Sequence, residues 1–278
     1  MPRISLRQAW LALIGGVLVA ALVPAGVALD RQLARDLERE ARADLAMAPR
    51  ILADRNATGA DALMMHAKEV AGAPGVAEAV AGDRRDEALR RARASVPAAD
   101  EEAVLVGPEG EPWTESAPMG ELVERTRAGE MPVRFTVDGD TLYRVSLAPL
   151  EVGGAWTGAA GVRTRVGEAT AATLAGLTRS DVAVVSQRGA VVASTRSSGL
   201  PRALSDSAAA WAGREGVHAL ETASGARYWA AAAPLGEAGV VVFLRSVSEE
   251  LSLLPGLRRS ALIAGLVALA VALLLGGF

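Results

Sequence analysis

Two uninterrupted apolar runs bracket the chain. From Ala9 to Leu29 it reads AWLALIGGVLVAALVPAGVAL, 21 residues without a charge, and from Ser260 to Phe278 it reads SALIAGLVALAVALLLGGF. About 20 apolar residues suffice to cross a bilayer core as a helix, and both runs are apolar on every face, so the pattern predicts two transmembrane helices. Pro24 is tolerable near one end of such a helix. Past the first run, Leu29, Leu33, Leu37, Ala41, Leu45, Ala48 and Leu52 recur at intervals of three or four residues, with Arg35, Asp36, Glu38, Arg39 and Glu40 on the opposite face. That spacing predicts a long helix over residues 30–72, with Pro49 forcing a kink or a break. So narrow an apolar stripe suits pairing with a second copy of the same helix. It suits packing on the chain's own domain as well, and both can hold together.

Two short helical stretches follow, near Val76–Ala81 and Asp86–Ser95, and then the period changes to that of strands. Ala103–Val106 and Glu111–Glu115 read as a hairpin around Gly107-Pro108-Glu109-Gly110. Val133–Val137 and Thr141–Leu147 read as a second, around Asp138-Gly139-Asp140. Ala155–Val166 supplies a fifth strand and Glu168–Leu177 a helix. The order then begins again: a hairpin of Val182–Ser186 and Ala190–Ser194, a helical piece at Leu204–Ala212, a hairpin of Val217–Thr222 and Ala226–Ala233, and a last strand at Gly239–Ser246. The two passes share letters as well as order. Tyr143-Arg-Val-Ser-Leu-Ala-Pro-Leu150 aligns without a gap on Tyr228-Trp-Ala-Ala-Ala-Ala-Pro-Leu235. Each copy continues into an apolar strand carrying an arginine (Arg163, Arg245) and then an acidic helix start (Glu168; Glu249 and Glu250). Two tandem copies of one antiparallel-sheet module account for this repetition.

Charge sets the orientation. Arg3 and Arg7 precede the first run, and basic residues in short flanks stay cytoplasmic; Arg31, Arg35, Arg39 and Arg42 weaken that bias, but long segments translocate largely regardless of charge. Residues 30–259 are therefore expected outside the cytoplasm, tethered to the inner (plasma) membrane. A cleaved signal peptide would share the basic start, the apolar stretch and the small residues Gly26 and Ala28, but this run is longer than such peptides need and the helical pattern continues straight out of it. The second run ends at Phe278 with no basic stop signal, so the domain that this chain drives is expected to be missing.

This pattern of a long helix leaving the membrane, two PAS-like sheets in tandem and a return into a second span resembles the double Cache sensor domains. The string Asp181-Val-Ala-Val-Val-Ser-Gln-Arg-Gly-Ala-Val-Val-Ala-Ser-Thr195 is similar to that family's strand–turn–strand opening, and Val152–Val162, with Gly158 and Gly161, to its later strand. The resemblance covers about residues 30–250. It implies an α+β fold: a long N-terminal helix plus two tandem PAS-like antiparallel-sheet modules, flanked by two transmembrane helices. The expected division is a cytoplasmic N-terminus at 1–8, spans at 9–29 and 260–278, a long helix at 30–72, a membrane-distal module at 73–166, a connecting helix at 167–180, a membrane-proximal module at 181–247 and a juxtamembrane helix at 248–259. It further implies the ligand-sensing input of a histidine kinase, chemotaxis receptor or cyclase, working as a homodimer and signalling through the second span. An envelope adaptor that recognises a protein and binds no small molecule is the competing reading.

The family places small ligands between the sheet face and its overlying loops, mostly in the distal copy. A three-residue turn at 138–140 or 137–139 would set Val133 and Phe135 on one face with Tyr143, Val145 and Leu147, and Arg134, Thr136, Arg144 and Ser146 on the other. Two arginines brought close repel unless an anion lies between them. That anion can be a ligand carboxylate, held bidentately, or an acid of the domain, or solvent can screen the pair. Arg134 and Arg144, with Tyr143 and Trp113 as aromatic walls, are the candidate ligand-binding residues. Core packing is the competing role for both aromatics. In the second copy Trp229 stands where the first has Arg144, so an anion read by Arg144 would bind at the distal copy only.

The remaining composition narrows the chemistry. A net charge of −3, with acids and bases interspersed, gives no electrostatic footprint for nucleic acid. The absence of cysteine removes disulfides and thiolate chemistry, and Lys68 is the only lysine. His66 and His218 stand far apart without a carboxylate at ligand spacing, no Gly-x-Ser-x-Gly or phosphate loop occurs, and Asp100-Glu101-Glu102 reads as a solvated loop. No cofactor, metal or enzymatic activity is expected of this chain.

Overall fold

The computed structural model describes residues 6–114, 119–196, 214–222 and 225–250, with single positions between 204 and 211 and between 256 and 270. One helix, α1 (Leu6–Ala71), runs the length of the molecule. It is assigned as one helix through Pro24 and Pro49, so of the kink or break expected at Pro49 the break does not occur. A proline removes one hydrogen bond from the helix. Here Leu45, Ala48 and Leu52, on both sides of Pro49, are packed in the core, and that packing offsets the lost bond.

Short helices α2 (Val76–Ala81) and α3 (Arg85–Ala94) lead into strand β1 (Glu101–Val106). Helix α4 (Gly120–Arg127) and strands β2 (Val133–Asp138), β3 (Thr141–Val152) and β4 (Ala155–Val166) complete the first unit. Its sheet has the order β1-β4-β3-β2, antiparallel throughout. Helix α5 (Glu168–Thr178) connects to β5 (Asp181–Ser186), β6 (Val191–Ser194), β7 (Val217–Glu221), β8 (Arg227–Pro234) and β9 (Gly239–Ser246), followed by a helical turn α6 (Val247–Glu250). The second sheet has the order β6-β5-β9-β8-β7.

The repeat is structural. Strands β5, β9, β8 and β7 occupy the places of β1, β4, β3 and β2, and the two Tyr-x4-Ala-Pro-Leu segments lie on the equivalent strands β3 and β8. The second copy keeps an outer strand, β6, that the first replaces by a single bridge between Val106 and Pro112. The hairpin arm expected at residues 111–115 is reduced to this bridge among the described residues. Pro112 has no amide to donate to a ladder. Helix α4 was not foreseen at all.

Both sheets pack on α1. Ala41, Leu45, Ala48 and Leu52 are buried against Val184, Trp229, Ala231 and Phe243 of the second unit. Leu63, Ala67 and Val70 are buried against Ala103, Leu105, Ala148 and Ala160 of the first. The apolar stripe predicted on this helix is thus used by its own domain from Ala41 onward, while Leu29 and Leu33 stay exposed. On its other face the first sheet is covered by α4, with Met119, Leu122 and Val123 set against Val104, Val106, Val145 and Leu147.

Among the described residues, no helix is long and apolar enough to cross a membrane. The predicted span 9–29 is continuous helix backbone within α1, but most of its side chains lie outside the described residues. The predicted span 260–278 and the helical piece at 204–212 lie partly or largely outside them as well.

Gly161 sits in β4, where a β-carbon would collide with the Ser146 carbonyl and the Leu147 backbone of β3. Gly161→Ala is expected to cost about 1–3 kcal/mol, as overpacking does, and denaturant unfolding of the two proteins would measure it. An unchanged midpoint would refute this close approach of the strands.

Candidate functional site

Sheet parity decides which of the four candidate residues can meet. The β2–β3 hairpin pairs Asp138 with Thr141, leaving a two-residue loop of Gly139 and Asp140, and Gly139 takes a φ of 59°. A glycine at positive φ in the first loop position suits a two-residue turn whose twist matches the strands. The expected three-residue turn is therefore wrong by one residue, and a one-residue slip exchanges the faces of a whole strand. Arg134 lies opposite Val145, and Phe135 opposite Arg144. Arg134 and Arg144 thus project from opposite faces of the sheet and do not form a pair.

On the α4 side, Arg134 is neutralised by Glu121 of α4 in a bidentate pair, with Nη1 donating to Oε2 at 2.6 Å and Nη2 to Oε1. Tyr143 is half-buried among the apolar residues beneath α4, near Trp156. The guanidinium of Arg163, from β4, lies 4.3 Å from the centre of the Tyr143 ring. Arg163 is only 14% exposed; it bonds Glu102 at 2.7 Å and lies 3.7 Å from Asp138. On the α1 side, Arg144 stacks on Phe135 with its guanidinium carbon 5.6 Å from the ring centre, and its Nη2 donates to the Asn56 carbonyl of α1.

A cleft of about 870 Å³ opens at the β1 edge of the first unit. Leu89, Arg93 and Val96 line it from α3 and the loop beyond, Trp113 from the bridge segment, and Glu102 and Arg163 from the sheet. Of the four predicted residues only Trp113 lines this cleft. Its ring is held in place from two sides, since Nε1 donates to Glu111 Oε1 at 2.8 Å and the Arg85 guanidinium lies 5.1 Å from the ring centre. Burial works against the Glu111 charge, but the bonds from Trp113 and the Glu109 amide, with Arg85 nearby, prevail and hold its carboxyl below the usual range. Glu101, another lining residue, is 7% exposed and meets His66 Nδ1 of α1 at 2.8 Å, so the cleft is fixed to the long helix. His218 stacks on Trp211, 5.6 Å between ring centres. Among the described residues neither histidine bonds a serine, and no cluster of His, Asp and Glu that could hold a metal occurs.

Arg163 is the residue that the sequence reading passed over. Its signal was present in the repeat, which sets Arg163 and Arg245 at like positions. Arg245, 11% exposed, donates to the Arg179 carbonyl at 3.1 Å and reaches Asp44 of α1 at 3.4 Å and Glu250 of α6 at 3.6 Å. Arg196 bonds Asp181, the Tyr228 hydroxyl at 3.0 Å and Glu249 at 2.5 Å. The two acids that open α6 are therefore each held by an arginine of the second unit.

No family model and no curated protein matches the sequence. Solved structures do match the fold. The ligand-binding domain of the Campylobacter jejuni chemoreceptor Tlp3, in complex with L-norvaline, aligns at a TM-score of 0.50 and 13% identity, covering 79% of this chain and 94% of that one. Its complex with 4-methylisoleucine aligns at 0.50 and 13%, covering 78% and 94%. What the chain shares with these ligand-binding domains is the fold, two tandem antiparallel-sheet modules on one long helix.

Arg134→Ala removes only a half-exposed ion pair and is expected to cost less than about 1 kcal/mol. Arg163→Ala removes a cation–π contact and two charge contacts from a nearly enclosed position, and is expected to cost about 1–2 kcal/mol more than Arg134→Ala. Denaturant midpoints of both variants check the order, and a reversed order would refute this division of roles.

Proposed function

We propose that the chain is the extracytoplasmic ligand-sensing input region of a transmembrane signal-transduction receptor, of the histidine kinase, chemotaxis-receptor or cyclase type. In this reading the spans at 9–29 and 260–278 hold modules 73–166 and 181–247 outside the inner membrane. The chain works as a homodimer, with the proximal module passing the signal to the second span. The observation that carries it is the tandem-module fold with a polar, tryptophan-walled cleft in the distal module. Apolar residues exposed near both ends, Val17, Val27 and Leu29 on one side and Ile263 and Val267 on the other, support the membrane assignment, because water is a costly environment for so many. Elsewhere the exposed large apolar residues, such as Met131, Val152 and Leu177, are single. Scattered positions of this kind do not favour the adaptor reading.

The cleft chemistry suits a small zwitterion. Arg93 offers a guanidinium to a carboxylate, Glu102, bonded to Arg163 but 58% exposed, offers an oxygen to an ammonium, and Trp113, Leu89 and Val96 offer an apolar wall to a side chain. An amino acid carries all three groups. Binding would act on the His66–Glu101 link to α1, and the proximal arginines would pass the change to α6. A ligand shifts such an equilibrium only by its different affinity for the two arrangements.

The test is thermal unfolding of the chain in nanodiscs against amino acids, organic acids and amines. A ligand at 100 times its Kd is expected to stabilise by about 2.7 kcal/mol. That response should fall in Arg93→Ala and Trp113→Ala and persist in Arg134→Ala and Arg144→Gln. The absence of any hit, or a hit indifferent to the first two changes, would overturn the proposal. With a hit in hand, Arg245→Gln is expected to leave Kd unchanged while abolishing the ligand-dependent change in hydrogen exchange at Val247–Glu250. Retention of that change would show that the signal takes another route.

A further inference from the structure

The two units differ at one sheet edge. In the second, β6 covers the outer side of β5: the Val182 carbonyl accepts from the Thr195 amide at 2.9 Å, and the Val182 amide donates to Thr195 Oγ1 at 2.9 Å. In the first, the outer side of β1 is met only at its far end. There the Trp113 amide donates to the Leu105 carbonyl at 2.8 Å, and the Gly107 amide to the Glu111 carbonyl at 2.9 Å. The chain bends at Trp113 and Thr114, and among the described residues no strand continues along β1 toward Glu101.

Those two bonds fix which backbone groups point outward. On a strand the amide and carbonyl of one residue face one side, and those of the next residue the other. Leu105 faces outward, so Ala103 and Glu101 do too, while Glu102, Val104 and Val106 turn their groups to β4. The Glu101 amide donates to the Ala98 carbonyl at 3.2 Å. The Glu101 carbonyl, and both the amide and the carbonyl of Ala103, meet no other group among the described residues.

The cleft of about 870 Å³ opens on this edge, for Glu101 and Ala103 both line it. An open strand edge is a template for a further strand, and the second unit shows that extended backbone fits this position of the module. From Glu101 to Leu105 the edge runs about 13 Å, the reach of three or four extended residues. Arg93 lines the same cleft and pairs with no acid among the described residues.

We propose that the outer edge of β1 is a docking edge for a short peptide with a free terminal carboxylate, whose extended main chain takes the place that β6 holds in the second unit. One peptide residue exchanges both backbone bonds with Ala103, and Arg93 receives the carboxylate. Alternate side chains of the peptide meet the wall of Trp113, Leu89 and Val96. Main-chain pairing supplies the affinity, so the site accepts a range of side chains. The site rests on the cleft of the receptor reading and narrows its ligand from a zwitterion to a peptide.

The probe is the tripeptide Ala-Leu-Ala, compared with free leucine by thermal unfolding of the chain in nanodiscs. The tripeptide is expected to act at a concentration about tenfold lower or less. Methylating its two peptide nitrogens one at a time should have unequal effects, a loss of about tenfold or more for the amide that faces β1 and little for the other. Ala103→Pro removes the outward amide and leaves the ladder to β4 intact, as proline can on an edge strand, and should weaken the tripeptide to the same degree. If that variant does not fold, the methylated peptides decide alone. Leucine as effective as the tripeptide, equal effects of the two methylations, or a crystal structure with the chain's own segment 115–118 along this edge would each overturn the peptide site and leave the amino-acid reading of the cleft standing. Stabilisation by no peptide and no amino acid would remove both.

Discussion

One helix face closes the cores of both sheets. The stripe of α1 that carries Leu45 and Leu52 closes the core of the second unit, and the stripe that carries Leu63 and Val70 closes that of the first. A fully buried leucine or valine contributes about 1.5–3 kcal/mol, and a domain's net stability is only about 5–15 kcal/mol. Neither unit can give up the helix. The two are therefore obliged to share one rigid element, and any change of packing in one reaches the other along it. Leu142 and Val166 of the first unit, packed in the same cluster as Phe243, add a direct seam between them.

The repeat shows how one module takes on two tasks. In the second unit, Trp229 of β8 lies in the core beside α1, with Arg42 stacked 5.2 Å from its ring centre. The equivalent position in the first unit is Arg144, which reaches the same helix with a charge instead of a ring. The strand arginines both close on acids of the chain: Arg163 on Glu102 and Asp138 at the edge of the cleft, and Arg245 on Asp44 and Glu250 beside α6.

The candidate site was partly legible. Trp113 was named from its type and place, and it lines the cleft. Arg134 and Arg144 were named as a pair, and the pairing failed on one residue of turn length, because Gly139 and Asp140 alone form the loop. Sequence gives the parity within a strand but not the register between strands when the turn can be cut two ways. Helix α4, eight residues with three buried side chains, was not read as an element. Its Glu121 is the group that neutralises Arg134.

The chain by itself determined the class of structure: apolar runs at both ends, a helix with one continuous stripe, and an element order stated twice. These follow from local periodicity, which is written residue by residue. Tertiary structure alone decided that α1 passes Pro49 unbroken, that Arg134 meets an acid while among the described residues Arg144 meets none, and that Arg163 rather than either of them lines the cleft. Each of those outcomes depends on which residues from distant segments arrive at the same place, and a strand's own pattern carries no record of what its neighbour brings.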